Sequence, residues 1–219
     1  MINKQQFQGK DMQKYLTPQE EFWAGEFGND YIARNEGQEL LASNLKFFSA
    51  ALVYATDISS CLELGANIGM NLRALKFLYP NMHLQAVEIN PSAASVLGDY
   101  IGADNVFTGS IFEYPVDKSF DLLLIKTVLI HINPDMLPSV YEKMYQASKR
   151  YILICEYYNT TPVSIAYRGH ADRLFKRDFA GEMLDKYSDL VLVDYGFAYH
   201  RVPPFLNDDI SWFLLEKRN

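Results

Sequence analysis

A glycine-rich segment that joins two apolar runs is the part of this sequence best suited to hold a ligand. Residues 62–71 read Leu-Glu-Leu-Gly-Ala-Asn-Ile-Gly-Met-Asn and contain Gly65 and Gly69. Glycine permits tight turns and lets the backbone come close to a ligand. The next apolar run ends at Glu88, where a carboxylate can accept hydrogen bonds from both hydroxyls of a ribose. Together the loop and the acid predict a nucleoside-binding site.

A second acid, Glu63, indicates which nucleoside the site prefers. It lies shortly before Gly65, and the loop has the spacing Gly-x-Asn-x-Gly, whereas dinucleotide sites have Gly-x-Gly-x-x-Gly. A carboxylate would repel a diphosphate but attract an ammonium or a sulfonium group. S-adenosylmethionine carries both of these cations and no phosphate, so it is the ligand that this arrangement favours.

The elements that must position these residues alternate along the chain. Apolar runs predict strands over residues 58–64, 83–88, 120–125 and 151–155, and helical periodicity predicts helices over 36–54 and 70–79. Asn90-Pro91 and Asn133-Pro134 each provide a capping residue followed by proline at a helix start. Such alternation is typical of a parallel α/β sheet with right-handed crossovers.

The two ends of the chain depart from this alternation. A helix is predicted over 175–187, and strands over 190–195 and 210–216 follow with no helix between them, so they should pair antiparallel. We expect a doubly wound, mostly parallel sheet with an antiparallel C-terminal hairpin. Residues 36–219 should form one domain with an irregular insert at about 157–175, and residues 1–35 an appendage that acts as a lid.

Composition excludes several classes of function. The formal net charge is −7 and no long Lys/Arg run occurs, which argues against a nucleic-acid partner. No apolar stretch has the length of about 18 residues that a membrane span needs, and no His, Cys and Asp residues have the spacing of metal ligands. Cys61 and Cys155 lie in apolar runs, as reduced core thiols of a cytoplasmic protein do. The oligomeric state is not indicated.

Four motifs follow one another between residue 58 and about residue 155. They are Glu63-Leu-Gly65-Ala-Asn67-Ile-Gly69, Glu88, Thr108-Gly109-Ser110-Ile111, and Phe120-Asp121-Leu-Leu-Leu followed by Val128-Leu-Ile-His131-Ile. In this order they resemble class I S-adenosylmethionine-dependent methyltransferases. The resemblance implies a Rossmann-like seven-stranded fold, S-adenosylmethionine as cofactor, and methyl transfer to a small molecule.

Two flanking segments narrow the resemblance. Residues 17–35 contain Glu-Glu-Phe-Trp-Ala-Gly-Glu-Phe-Gly-Asn-Asp-Tyr, and residues 167–179 contain Tyr-Arg-Gly-His-Ala-Asp-Arg. Both resemble the methylases associated with pseudaminic acid biosynthesis in bacteria. The acceptor that this implies is a nonulosonic acid sugar or a precursor of it, an acidic, sugar-like small molecule.

The resemblance also implies which residues bind the methyl donor. Glycines and asparagines of the loop would contact its methionine part, Glu88 its ribose, and Ile89 its adenine. The full set is Glu63, Gly65, Ala66, Asn67, Gly69, Asn71, Glu88, Ile89, Ser110, Ile111 and Lys126. Two positions depart from the family pattern: Asn67 replaces a glycine, and Ser110 replaces the acid that resembling enzymes use on the adenine amino group. Lys126 is equally compatible with a solvated strand end.

The acceptor pocket should lie beyond the strand ends, where the N-terminal appendage meets the insert. The residues assigned to it are Trp23, Tyr31, Arg34, Tyr157, Tyr158, Asn159, Arg168 and Arg173. Arginine would suit an acidic acceptor because its guanidinium binds carboxylates with two hydrogen bonds. The alternatives are plain packing for the aromatic residues and a solvated mixed-charge surface for the arginines.

A general base is useful if the acceptor is a hydroxyl. The candidates are His131, Glu156 and His170. A packed, hydrogen-bonded core histidine is the alternative for His131. A protein that binds an adenosyl ligand without catalysis, and a nicotinamide-dependent oxidoreductase, are the competing functions.

Overall fold

The computed structural model describes residues 15–32, 34–204 and 208–218, without the side chains of residues 170 and 171. Its main feature is a seven-stranded sheet with the strand order β3-β2-β1-β4-β5-β9-β8. The strands are β1 (Ser60–Leu64), β2 (His83–Glu88), β3 (Val106–Thr108), β4 (Phe120–Lys126), β5 (Ser148–Glu156), β8 (Leu190–Ala198) and β9 (Ile210–Lys217).

Strand directions confirm the predicted architecture. β1 to β5 run parallel to one another, whereas β9 is antiparallel to both β5 and β8. The C-terminal strands, which lack a crossover helix, therefore form the expected antiparallel hairpin. The chain has the mixed α/β fold that its alternating pattern predicted.

Helices cover both faces of the sheet. They are α3 (Gln38–Ala51), α4 (Met70–Leu78), α5 (Pro91–Ile101), α6 (Leu137–Ala147) and α7 (Phe179–Lys186). Side chains of α3, α4 and α5 belong to one apolar core, and side chains of α6 and α7 belong to the other. Within the described ranges, no helix combines the length and the apolar character needed to cross a membrane.

The central strands alternate between these two cores. In β4, Leu122 and Leu124 face the core under α3 and α4, whereas Leu123 and Ile125 face the core under α6 and α7. This double burial explains why the strand is a continuous apolar run. Cys61 and Cys155 are free, buried thiols in the same sheet.

Asparagine caps two of the helical starts. The Oδ1 of Asn90 accepts a hydrogen bond from the backbone N–H of Ala93 at 3.0 Å, as predicted for the start of α5. Asn133 caps a short 3-10 turn, Pro134–Met136, and α6 begins only after it, at Leu137.

The described part of the N-terminal segment forms two short helices, α1 (Pro18–Ala24) and α2 (Glu26–Ile32). We predicted no element there, and residues 1–14 and 33 of the expected appendage lie outside the described ranges. The side chain of Asn90 ties the helices to the sheet, since its Nδ2 donates to Oδ1 of Asn29 at 2.9 Å. Gly28 allows α2 to approach both Asn90 and α1, because a Cβ there would lie 2.8 Å from Nδ2 of Asn90 and 1.9 Å from the carbonyl oxygen of Trp23.

Part of the insert is regular, which corrects the prediction of an aperiodic segment. β6 (Val163–Tyr167) and β7 (His170–Lys176) form a separate antiparallel hairpin. The predicted helix over 175–187 therefore starts later, at Phe179, because its first residues belong to β7. The hairpin packs against the N-terminal helices, where Nε2 of Gln19 donates to the carbonyl oxygen of Asp172 at 2.9 Å.

Candidate functional site

A cleft opens at the carboxyl ends of the parallel strands, between the sheet and the N-terminal helices. Such crevices are the usual ligand sites of doubly wound sheets. Among the predicted donor-binding residues, those that line the cleft are Gly65, Ala66, Asn67, Asn71, Glu88, Ile89, Ser110, Ile111 and Lys126. Glu63 and Gly69 lie behind this lining.

The glycine loop after β1 has the backbone conformation that its sequence requires. Gly65 has a φ of 73°, and a Cβ there would lie 2.5 Å from Cγ2 of Val128. Gly69 has a φ of 82° and precedes α4, where a Cβ would lie 2.5 Å from Cδ1 of Leu97. Asn67 also adopts a left-handed conformation, with a φ of 50°, which asparagine tolerates better than most residues. The replacement of glycine by Asn67 therefore preserves the turn.

Glu88 at the end of β2 holds the loops on both sides of it. Its Oε2 accepts from the backbone N–H of Asn67 at 2.7 Å, and its Oε1 accepts from that of Asn90 at 2.8 Å. Burial raises the pKa of Glu88, although these backbone hydrogen bonds oppose the shift. Each carboxylate oxygen has a further lone pair, so Glu88 can still accept hydrogen bonds from a diol in the cleft.

Glu63 at the end of β1 is a buried acid with one unsatisfied oxygen. Its Oε1 accepts from Nδ2 of Asn71 at 2.6 Å, whereas its buried Oε2 has no hydrogen-bond partner in the described chain. Burial raises the pKa of Glu63 to about 8, although the bond from Asn71 and the charge of Lys126 hold it lower. Asn71 lines the cleft, so a cationic ligand group beside it would lie close to this acid.

His131 lies in the cleft on a short 3-10 turn, Leu129–His131, and is 8% exposed. Its Nδ1 is 2.6 Å from the carbonyl oxygen of Arg173. Because a carbonyl only accepts, Nδ1 carries the hydrogen and Nε2 keeps its lone pair. Burial lowers the pKa of His131 to about 4, which makes it a neutral hydrogen-bond acceptor at physiological pH. The ring centroids of Trp23 and Tyr167 lie 4.7 and 5.1 Å away.

Glu156, a second candidate base, lies behind the cleft lining at the end of β5. Its Oε1 accepts from the backbone N–H groups of Val128 and Leu129 at 2.9 and 2.8 Å. Burial raises its pKa to about 8. Its contacts are those of a positioning residue, since they hold the turn that carries His131. The backbone of the third candidate, His170, begins β7, and its side chain is outside the described part of the chain.

The structure brings only some of the predicted acceptor residues to the cleft. Trp23 and Tyr31 line it, whereas Arg34, Tyr157, Tyr158, Asn159, Arg168 and Arg173 do not. Arg168 is exposed in the turn between β6 and β7, with a φ of 49°. Burial and the charge of Asp208 raise the pKa of Tyr31 in the cleft wall, and the charge of Arg168 opposes this shift only in part. The pKa of Tyr157 is raised by burial and then by the charge of nearby Asp208.

Glu20 of α1 is a cleft residue that the sequence analysis did not assign. It is 6% exposed and accepts a hydrogen bond from the hydroxyl of Ser110. It also forms a capping box with Thr17, whose side chain accepts from the backbone N–H of Glu20. The spacing Thr-Pro-x-Glu is a recognisable signal for a helix start, but it does not indicate the contact with Ser110.

The ligand-free protein should lose stability as pH rises, because Glu63 keeps its proton in the folded state. Its pKa is about 8 when folded, against an ordinary value of 4.5. Between these values the native state binds more protons than the unfolded state, so the free energy of unfolding falls as pH rises. For one such carboxyl it should be about 3 kcal/mol lower at pH 7 than at low pH. Glu156 acts in the same direction.

Glu63→Gln cannot ionise and should remove part of this pH dependence. The measurement is denaturant unfolding of both proteins at about pH 5 and pH 7. Exposed Glu36 provides the control, since Glu36→Gln should show the same fall in the free energy of unfolding between the two pH values as the wild type. The same fall in Glu63→Gln would contradict the raised pKa of Glu63.

No protein-family model matches the sequence, and no curated protein matches it. Several solved structures share its fold. 1,6-Didemethyltoxoflavin-N1-methyltransferase of Burkholderia thailandensis superposes with a TM-score of 0.66 at 17% identity, over 88% of this chain and 86% of that chain. Magnesium protoporphyrin IX methyltransferase of Synechocystis PCC 6803 superposes with a TM-score of 0.64 at 10% identity, over 91% of this chain and 95% of that chain.

The mitomycin 7-O-methyltransferase MmcR gives a TM-score of 0.63 at 17% identity, over 88% of this chain. This chain spans only 58% of the length of that protein. At these levels of identity, the similarity concerns the arrangement of helices and strands. The protein has the fold of the class I S-adenosylmethionine-dependent methyltransferases.

Proposed function

We propose that the protein transfers a methyl group from S-adenosylmethionine to a small-molecule acceptor. The observation that carries the proposal is the pair of buried acids at neighbouring strand ends, Glu63 and Glu88, on either side of the glycine loop. Glu63, behind the cleft lining, can offset a positive charge in the cleft through its own charge, and Glu88 has lone pairs left for a diol. Neighbours of the same fold contain S-adenosylmethionine or S-adenosylhomocysteine.

The residues of the cleft fit this donor. When bound, S-adenosylmethionine would supply a methyl group activated by a positive sulfur. Glu88 would accept hydrogen bonds from the ribose hydroxyls, and Glu63 would offset the charge of the ammonium group. Ile89 and Ile111 would pack on the adenine. Aligning two reactants in this way contributes up to about 7–11 kcal/mol in well-oriented models.

The N-terminal helices would act as the lid of this site. α1 and α2 bring Glu20, Trp23 and Tyr31 to the cleft, and Asn90 ties them to the sheet. We therefore propose that the N-terminal segment excludes water from the reacting groups, while residues 36–219 form the methyltransferase domain with the hairpin of β6 and β7 as its acceptor-side insert.

His131 would take the proton from an acceptor hydroxyl. Its Nε2 is unprotonated at neutral pH and keeps a lone pair that can accept the proton, and a positioned base contributes about 10²- to 10⁴-fold to rate. His131→Gln should therefore lower kcat by that factor while leaving donor affinity unchanged. With both substrates saturating, the kcat of the wild type should stay constant from neutral pH down to about pH 5 and fall only as pH approaches 4.

Radiolabelled methyl transfer over a pH series would measure both effects. Exposed His83 supplies the matched control, because His83→Gln should retain wild-type turnover. A wild-type rate that already halves near pH 6.5 would show that another group is the base.

For the acceptor, we propose a nonulosonic acid sugar or its precursor. Aromatic side chains of Trp23 and Tyr31 line the cleft, and the charge of Arg168 acts on Tyr31. Aromatic faces can pack on a sugar ring, and a guanidinium can bind its carboxylate. The test is a radiolabelled methyl-transfer screen over nucleotide-activated and free nonulosonic acids.

Arg168→Ala should raise the KM for such an acceptor about tenfold or more and leave donor affinity unchanged, because its charge lies on the acceptor side. Steady-state kinetics measure the KM for the acceptor, and titration with S-adenosylhomocysteine measures the affinity for the donor side. Arg201, another exposed arginine, is the control: Arg201→Ala should bind both ligands normally. Equal loss of donor and acceptor affinity in Arg168→Ala would contradict the assignment.

Donor binding itself tests the proposed function. Calorimetric titration of the wild type with S-adenosylhomocysteine should give heat, and Glu88→Ala should bind it at least tenfold more weakly, because hydrogen bonds to a charged group contribute about 1.5–3 kcal/mol each. The exposed Asp104 gives the control variant Asp104→Asn. Heat with NADH and none with S-adenosylhomocysteine would overturn the proposal.

A further inference from the structure

Helix α1 provides the cleft with hydrogen-bond acceptors. Glu20 lines the cleft; its Oε2 accepts from the backbone N–H of Thr17 at 2.9 Å, and its Oε1 accepts from the hydroxyl of Ser110. Gln19 also lines the cleft, and its buried Oε1 has no hydrogen-bond partner among the residues that the structure describes. This side of the cleft therefore favours a ligand group that donates hydrogen bonds.

Ser110 has no donor left to offer such a ligand. A hydroxyl has one proton, and Ser110 gives it to Glu20. Its oxygen accepts in turn from the backbone N–H of Phe112 at 3.1 Å. The carboxylate of Glu20, which has lone pairs to spare, is thus the acceptor available at this position.

The strand order fixes which part of the ligand would reach Glu20. Glu63, Glu88 and Ser110 lie at or just beyond the carboxyl ends of three neighbouring strands, β1, β2 and β3, and neighbouring strands lie about 4.8 Å apart. In the proposed function, the ammonium group lies near Glu63 and the ribose at Glu88. A nucleoside in this orientation extends its base toward Ser110 and Glu20.

We propose that Glu20 recognises the exocyclic amino group of the adenine, so that a residue of the N-terminal helix decides which purine the cleft accepts. The inference rests on the proposed function and adds a specificity residue to it. An amino group would donate to Oε1 of Glu20. A carbonyl oxygen at the same position would face the carboxylate and leave both groups without a donor, which is costly in a buried site.

The two ligands that test this differ at that one position. S-inosylhomocysteine has a carbonyl oxygen where S-adenosylhomocysteine has the amino group. Calorimetric titration of the full chain should show at least tenfold tighter binding of S-adenosylhomocysteine.

Glu20→Gln should abolish or invert this preference. The carboxamide has a single oxygen, and the backbone N–H of Thr17 requires an acceptor at the position of Oε2. The amide NH₂ therefore takes the position of Oε1 beside Ser110. It would oppose the adenine amino group and donate to the inosine carbonyl, so S-adenosylhomocysteine should bind at least tenfold more weakly and S-inosylhomocysteine more tightly.

The next residue along α1 supplies the matched control. Glu21 is exposed, so Glu21→Gln should bind both ligands as the wild type does. A second variant, Glu20→Ser combined with Ser110→Asp, moves the carboxylate to the other side of the same contact. It should restore the preference for S-adenosylhomocysteine. If Glu20→Gln proves unfolded by circular dichroism, Glu20→Ala takes its place and should also lose the preference, because it removes the carboxylate.

The outcomes separate this inference from the proposed function. If the wild type binds neither ligand, the proposed function fails and the inference fails with it. If the wild type prefers S-adenosylhomocysteine and a folded Glu20→Gln shows the same preference, only the role of Glu20 is overturned. A preference that Glu20→Gln loses and the double variant regains supports it.

Discussion

Burial of acidic side chains along one edge of the sheet is the constraint on which the cleft depends. Glu88 and Glu156 are the last residues of β2 and β5, Glu63 is the last but one of β1, and all three are buried. A buried carboxylate is tolerated when hydrogen-bond donors replace its lost hydration. The donors here belong to the loops that form the cleft, such as the backbone N–H groups of Asn67 and Val128. Each acid therefore fixes a loop as well as a strand end.

This arrangement favours the protonated, neutral forms of two of the acids in the ligand-free protein. The Oε2 atoms of Glu63 and Glu156 have no hydrogen-bond partner in the described ranges, and burial raises the pKa of both acids to about 8. Lys126, whose charge opposes both shifts, lines the cleft between them. Because an ammonium or sulfonium group would favour the ionised form of a nearby acid, ligand binding and proton release should be coupled.

The central strands and the glycine loop could be predicted because their signals are local. Burial on both faces makes a strand such as Phe120–Lys126 a continuous apolar run, and Gly65 and Gly69 mark a turn. β6 was missed although Val163, Ile165 and Tyr167 alternate along it with small residues, because the strand is largely exposed and the pattern lasts only five residues. Glu20 was missed for another reason: its partner Ser110 is 90 residues away, and no local pattern indicates a contact over such a separation.

The contact that orients His131 is made with a main-chain atom of β7, the carbonyl oxygen of Arg173. The imidazole tautomer is therefore insensitive to the chemical identity of the side chain at position 173. It depends instead on the register of the hairpin, because a shift by one residue would turn an N–H rather than a carbonyl toward the ring. Substitutions in this hairpin should thus be tolerated far better during divergence than single-residue insertions or deletions.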